Sequence, residues 1–179
     1  MDFQELIKLI FNESIRGLKK ARKNGVDFLT TDKYDKNNIL IAYCGYAYDL
    51  KFKPEDMIDF LLDCGIDVNH QMNKRGSQYS ALHMAVEHDN YEIAKILLEK
   101  DANIEIQDSN GNTPLWKAVM NYRGKKESFD IIKLLLTNGA SLDTKNFHDA
   151  SPKDIIVQVG EGIDGGYNDK NWDLRTLLK

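Results

Sequence analysis

The stretch DIIVQVGEGIDGG, Asp154 to Gly166, places Gly160, Gly162 and Gly165 in the spacing G-x-G-x-x-G. Behind a strand, such glycines form a tight turn whose backbone N–H groups receive a pyrophosphate. A β-branched run, Ile155-Ile156-Val157-Gln158-Val159, stands directly before them. The same chemistry also needs a following helix, a second strand and an acidic residue about 20 positions on. Thirteen residues follow Gly166, so the glycines are expected to form a flexible connection before a last helix. A nucleotide-binding enzyme built on Gly160–Gly165 is the remote alternative. Asp164, Asn168, Asp169 and Asp173 supply oxygen donors but lack the spacing of a calcium loop closed by a glutamate. His70, His83, His88 and His148 make neither a metal spacing nor a nucleophile–base set. Cys44 and Cys64 sit in apolar settings and are expected to be buried thiols rather than zinc ligands. No catalytic residue, metal or cofactor is expected.

The bulk properties narrow the partner. The chain has 179 residues, 42% hydrophobic and 29% charged, with three prolines, enough for one domain with its own core. A net charge of −4 disfavours nucleic acid, because phosphate binding needs clustered Lys and Arg. It suits a basic protein partner. No apolar run approaches the roughly 18–20 residues of a membrane span. The opening Met1-Asp2-Phe3-Gln4-Glu5 is acidic where a signal peptide would be basic. The expected location is the cytosol, with no membrane partner.

What must position these residues is a repeat. Four stretches align, starting at Gly25, Gly65, Asp101 and Gly139, 36 to 40 residues apart. The second carries three extra residues. Amphipathic segments precede the later three: DMIDFLLDC, YEIAKILLEK and SFDIIKLLLTN. Thr113 has a hydroxyl to cap a helix, and Pro114 fills the first turn, where a missing N–H costs nothing. Leu115, Ala118 and Val119 fall on one face. Gly65 and Gly139 stand just past helix ends, where a left-handed residue is needed. Asp101 takes the same place at greater cost. Asp108-Ser109-Asn110-Gly111 is turn chemistry for a finger joining one unit to the next.

The pattern resembles the ankyrin repeat over most of the chain. The family's T-P-L-H-x-A signature stands as Ser80-Ala81-Leu82-His83-Met84-Ala85 and Thr113-Pro114-Leu115-Trp116-Lys117-Ala118. It is degenerate at Asn37–Ala42 and Ser151–Ile156. The helix-end signature stands as Leu61-Leu62-Asp63-Cys64-Gly65-Ile66-Asp67-Val68-Asn69. The implied fold is an all-α solenoid of about five helix pairs joined by β-turn fingers. The pairs are expected at 3–10 with 13–23, 38–47 with 55–63, 81–88 with 91–99, 114–121 with 127–137, and 152–159 with 171–178. Residues 1–24 would be capping helices, 25–150 the central repeats and 151–179 a capping repeat with a loop insertion at 160–170. The register puts Ile155–Val159 in a helix rather than a strand. His83, the signature histidine, is expected to bond Ser80. The cationic run Arg16, Lys19, Lys20, Arg22 and Lys23 reads as a solvated cap face.

The resemblance also implies where a partner would bind. By register, finger positions are Lys33, Tyr34 and Lys36; Lys74, Arg75, Gln78 and Tyr79; Ser109, Asn110 and Asn112; Phe147 and His148. First-helix positions are Cys44, Gly45, Glu87, His88, Met120, Asn121 and Gln158. Trp116, in place of the signature histidine, either packs against the next unit or anchors a partner. Tyrosines 34, 43, 46, 48, 79 and 122 crowd this surface, and tyrosine is enriched at binding hot spots. The partner-binding set is therefore Tyr34, Lys36, Tyr46, Gln78, Tyr79, Glu87, His88, Ser109, Asn110, Asn112, Trp116, Met120, Asn121, Tyr122, Phe147 and His148. The expected function is a non-enzymatic protein-interaction module. Small bacterial members with degenerate repeats resemble immunity proteins, so a specific inhibitor of a basic toxin or effector is expected. A general adaptor is the alternative.

Overall fold

The computed structural model describes residues 1–46, 53–73, 76–162 and 173–178. The described residues are helical apart from turns and one isolated antiparallel bridge between Gln71 and Ser80. The α-helices are α1 (Phe3–Asn12), α2 (Ile15–Lys23), α3 (Ile39–Tyr46), α4 (Pro54–Asp63), α5 (Ala81–Glu87), α6 (Tyr91–Glu99), α7 (Pro114–Asn121), α8 (Lys126–Thr137) and α9 (Pro152–Gly162). A 3-10 turn spans Leu174–Leu178. The odd-numbered helices pack in sequence into one row, and α2, α4, α6 and α8 into a second. The core lies between the rows: Leu6, Leu18, Leu40, Met57, Leu61, Leu82, Ile93, Leu97, Leu115, Ile132 and Leu135 are fully buried. Each such side chain contributes about 1.5–3 kcal/mol.

Side-chain caps start most of the helices, whereas α4 and α8 begin at Lys53 and Lys125 without one. Asp2 and Glu5 form a reciprocal capping box on α1, and Ser14 caps α2. Asn38 Oδ1 accepts from the Ile41 N–H at 2.8 Å, Asn90 caps α6, and Thr113 accepts from the Trp116 N–H ahead of Pro114. The Ser151 hydroxyl and Asp154 carboxylate close α9 in the same way.

After each outer helix the backbone turns left-handed, at Gly25, Gly65, Asp101 and Gly139. Asp101, with φ +61°, pays for a Cβ that the glycines lack. Asp101→Gly is expected to stabilise the chain by about 0.5–1 kcal/mol and raise the melting temperature by about 1–4 °C. Calorimetry showing an unchanged or lower value would contradict this.

Several boundaries differ from the expectation. Helix α1 runs two residues further, to Asn12, because its end is set by the Ser14 cap of α2. The last segment is a 3-10 turn rather than an α-helix. Asp173 Oδ1 holds the Arg175 N–H, and the Asp173 carbonyl takes the Thr176 N–H, an i to i+3 pattern. Helix α9 continues through Gly162, so Gly160 and Gly162 begin no loop; glycine weakens a helix but does not end it. Ile155–Val159 is helix, so the strand required by a dinucleotide turn is not there. Gly165, Asp164, Asn168 and Asp169 lie outside the described residues.

Helix α3, ILIAYCGY, is apolar on every side and is therefore buried rather than amphipathic. Cys44 and Gly45, expected on the binding face, are covered. A Cβ on Gly45 would stand 2.8 Å from Met84 Cε of α5. Burial pushes the Cys44 thiol well above the ordinary range, leaving it inert. Cys64 is half-buried rather than buried, and desolvation also raises its pKa.

Candidate protein interface

Three of the four fingers are built on an Asp or Asn at the same position of the repeat. Asp32, Asp108 and Asn146 each fold an oxygen back onto two backbone N–H groups: those of Tyr34 and Asp35, of Asn110 and Asn112, and of His148 and Ala150. Backbone bonds close these turns, from Asp32 to Asn37, Asp108 to Asn112 and Asn146 to Ala150. Met72 holds the corresponding place in the second finger, which closes from Met72 to Tyr79 across its longer loop.

The fingers are also bonded to one another. The Asn73 N–H donates to the Asp35 carbonyl, Ser109 to Ser77 and Phe147 to Asn110, tip to tip along the stack. Below the tips runs a glutamine ladder. Gln71 Nε2 donates to the carbonyls of Gln78 and Gln107, the latter at 2.8 Å, and Gln107 Nε2 donates to Gly111 and Lys145. Glu105 accepts from the Ser141 N–H and the Thr144 hydroxyl, each at 2.7 Å. The row is preorganised, so little ordering entropy opposes a partner that lands on it.

Gly111 is the tightest point. Its φ is +76°, and a Cβ there would lie 2.7 Å from both the Phe147 backbone nitrogen and Cδ1 of its ring. Gly111→Ala is expected to cost about 2–3 kcal/mol and to displace the last finger. The checks are a melt and the amide shift of Phe147; neither moving would contradict it.

Beside the fingers, the first helices carry a polar cluster. The Tyr79 ring stacks on His83, with centroids 5.5 Å apart. Lys117 Nζ donates to Tyr79 Oη at 2.8 Å, lies 5.0 Å from the ring centroid and pairs with Glu87 at 3.0 Å. Asn121 Nδ2 donates to the same carboxylate at 3.1 Å. Partial burial works to lower the Lys117 pKa, but the bonds to Tyr79 and Glu87 outweigh it and hold the ammonium above its ordinary value. Lys117 was not among the expected site residues. The available signal was register, since it precedes Asn121 by four and so shares its face.

The expected set divides by burial. Tyr34 is 81% exposed at the first fingertip, with Lys33 Nζ 5.7 Å from its ring, and Phe147 is 71% exposed at the last. Lys36, Gln78, Glu87, Asn110, Met120, Asn121 and His148 are exposed. Tyr79, His88, Ser109, Trp116 and Tyr122 are half-buried. Tyr122 packs against Phe129, and Tyr79 works in the polar cluster. Trp116 packs on the core with its indole N–H buried and without a protein acceptor among the described residues. Asn112 is buried, which corrects its placement on the surface. Its Nδ2 donates to Asp108 and its Oδ1 accepts from Asn146, so it joins two fingers. The Tyr46 side chain, Tyr48, Lys74 and Arg75 lie outside the described residues.

Comparison with known proteins gives a consistent family. The family described as ankyrin repeats in three copies matches residues 7–108 and 45–146. A putative ankyrin repeat protein of fowlpox virus is 33% identical over 162 residues, 87% of this chain. Putative ankyrin repeat proteins of Rickettsia bellii and Rickettsia felis are 30% and 32% identical over 95% and 64% of it. The chain spans 53%, 50% and 41% of the Rickettsia bellii, Rickettsia felis and fowlpox relatives. With the family pattern matched across residues 7–146 and the repeated helix pair running through them, the chain belongs to the ankyrin-repeat family.

Proposed function

We propose that the finger row and the adjoining faces of α5 and α7 bind a basic protein partner, and that occupying that partner's surface is the activity. The coarser part follows from the family, whose repeats form protein-interaction modules. Beyond that, we infer a specific inhibitor of a toxin or effector. The observation that carries it is a pair of large aromatics, Tyr34 and Phe147, held out from the two ends of a hydrogen-bonded row. Groups that gain most on binding are exposed before it and rigidly presented. Asp89 is exposed just past the end of α5 in a chain of net charge −4, while the Glu87 carboxylate is already paired with Lys117. That charge speeds encounter with a basic surface and disfavours acidic ones.

The experiment is affinity capture from the source organism followed by assay of what is captured. An inhibitor retains one tight partner, and stoichiometric addition silences that partner's activity. Recovery of several partners, each still active when bound, would replace inhibition with the adaptor reading.

A further inference from the structure

We propose that the outward face of α2 is a second docking surface, separate from the fingers, that takes an extended acidic segment of a protein partner. Arg16, Lys19, Lys20 and Lys23 recur at i, i+3, i+4 and i+7 and so form one stripe. They line a shallow groove of about 590 Å³ with Ser14 and Gly17. Lys19 and Lys23 also border a second groove of about 500 Å³, which Arg22, Phe60 and Asp63 complete. Helix α2 sits at one end of the second row, packed on α4, while the fingers adjoin the first row.

Helix chemistry does not account for this stripe. Cations in the last turn, Lys20, Arg22 and Lys23, complement the helix dipole. Arg16 lies in the first turn, where the dipole opposes it. Like charges at i, i+3 and i+4 repel, and this stripe stacks several such pairs. None of the five cations is in an ion pair among the described residues, whereas Lys95, Lys100, Lys117, Lys126, Lys145 and Lys153 all are. In a chain of net negative charge, an unpaired cationic helix is complementary to an anionic ligand.

The shape of the patch selects among anions. Arg16 to Lys23 spans about 10 Å along the axis, the length of three or four extended residues. The Glu13 carboxylate lies over Gly17 at one edge, and Asp63 stands in the second groove. Each groove thus sets one acid against several cations, and a patch this short matches a short peptide segment rather than the extended anionic surface of a duplex or a bilayer. The apolar residues of α2, Ile15, Leu18 and Ala21, face the core and offer a membrane nothing to insert.

The test is fluorescence anisotropy of labelled hexaglutamate against the whole protein in low salt. Saturable binding is expected, weakened about tenfold in Lys19→Glu/Lys23→Glu. Lys19→Gln/Lys23→Gln should weaken it less, and Tyr34→Ala/Phe147→Ala should leave it unchanged. Thermal melts of each variant certify the fold. The proposal is overturned if hexaglutamate does not saturate, if the charge-reversed variant binds equally well, or if oligothymidylate or phosphatidylserine vesicles bind more tightly than the peptide.

Discussion

Replacing His83 by alanine is expected to remove about 2–4 kcal/mol of stability and lower the melting temperature by about 4–12 °C. The side chain is wholly buried and serves two repeats at once. Its Nε2 lies 3.1 Å from the Asn112 carbonyl, which can only accept, so Nε2 carries the proton. Nδ1 is then an acceptor, facing the Ser80 hydroxyl at 3.0 Å and the Ser80 N–H at 3.3 Å. The Ser80 oxygen in turn caps α5 through the His83 N–H. Alanine leaves a cavity, strips the Asn112 carbonyl of one of its two donors and weakens the cap in one step.

The same geometry sets a pH dependence. Burial disfavours the cation and outweighs the bond to the Asn112 carbonyl, so the folded pKa lies below the ordinary 6.5. The unfolded chain takes up the proton near that value. Between 6.5 and the lower folded value the unfolded state binds more protons, and stability declines as pH falls. Above about pH 6.5 the contribution is complete. Melts from pH 8 to 5 should show this loss in the parent and not in His83→Ala. An identical pH profile in both would remove His83 from the account.

The second large effect concerns binding. Tyr34→Ala together with Phe147→Ala is expected to weaken the partner complex at least 100-fold, or about 3 kcal/mol. Both rings are mostly exposed in the free chain, so truncating them disturbs little of the fold. Phe147 does cover Gly111, and its removal should cost well under 1 kcal/mol of stability. Titration calorimetry with the captured partner measures the loss. Affinity within threefold of the parent would mean that these aromatics are bystanders.

Much of the fold was legible because the repeat states it several times. The Thr113 cap and the left-handed residue at Asp101 follow from local chemistry, the Ser80–His83 bond from the ankyrin resemblance, and all three are present. Burial was harder to read. Asn112 looks like a fingertip residue from its turn position, yet Asn146, 34 places on, reaches back to it. Cys44 and Gly45 occupy first-helix register positions, but α3 is apolar on every side and α5 covers it. Lys117 is unremarkable in sequence; only the fold brings Glu87 and Tyr79 to its ammonium. Such contacts join residues about one repeat apart. A reading that treats each unit alone finds their positions and misses their neighbours.

The central claim is that the finger row, not the outward faces of α6 and α8, meets the basic partner. Hydrogen exchange of the chain alone and in complex tests this most directly. The account predicts new protection at residues 33–36, 108–111 and 146–149 and on the exposed ends of α5 and α7, with α6 and α8 unchanged. Protection confined to α6 and α8, with the fingers exchanging as in the free chain, would contradict it.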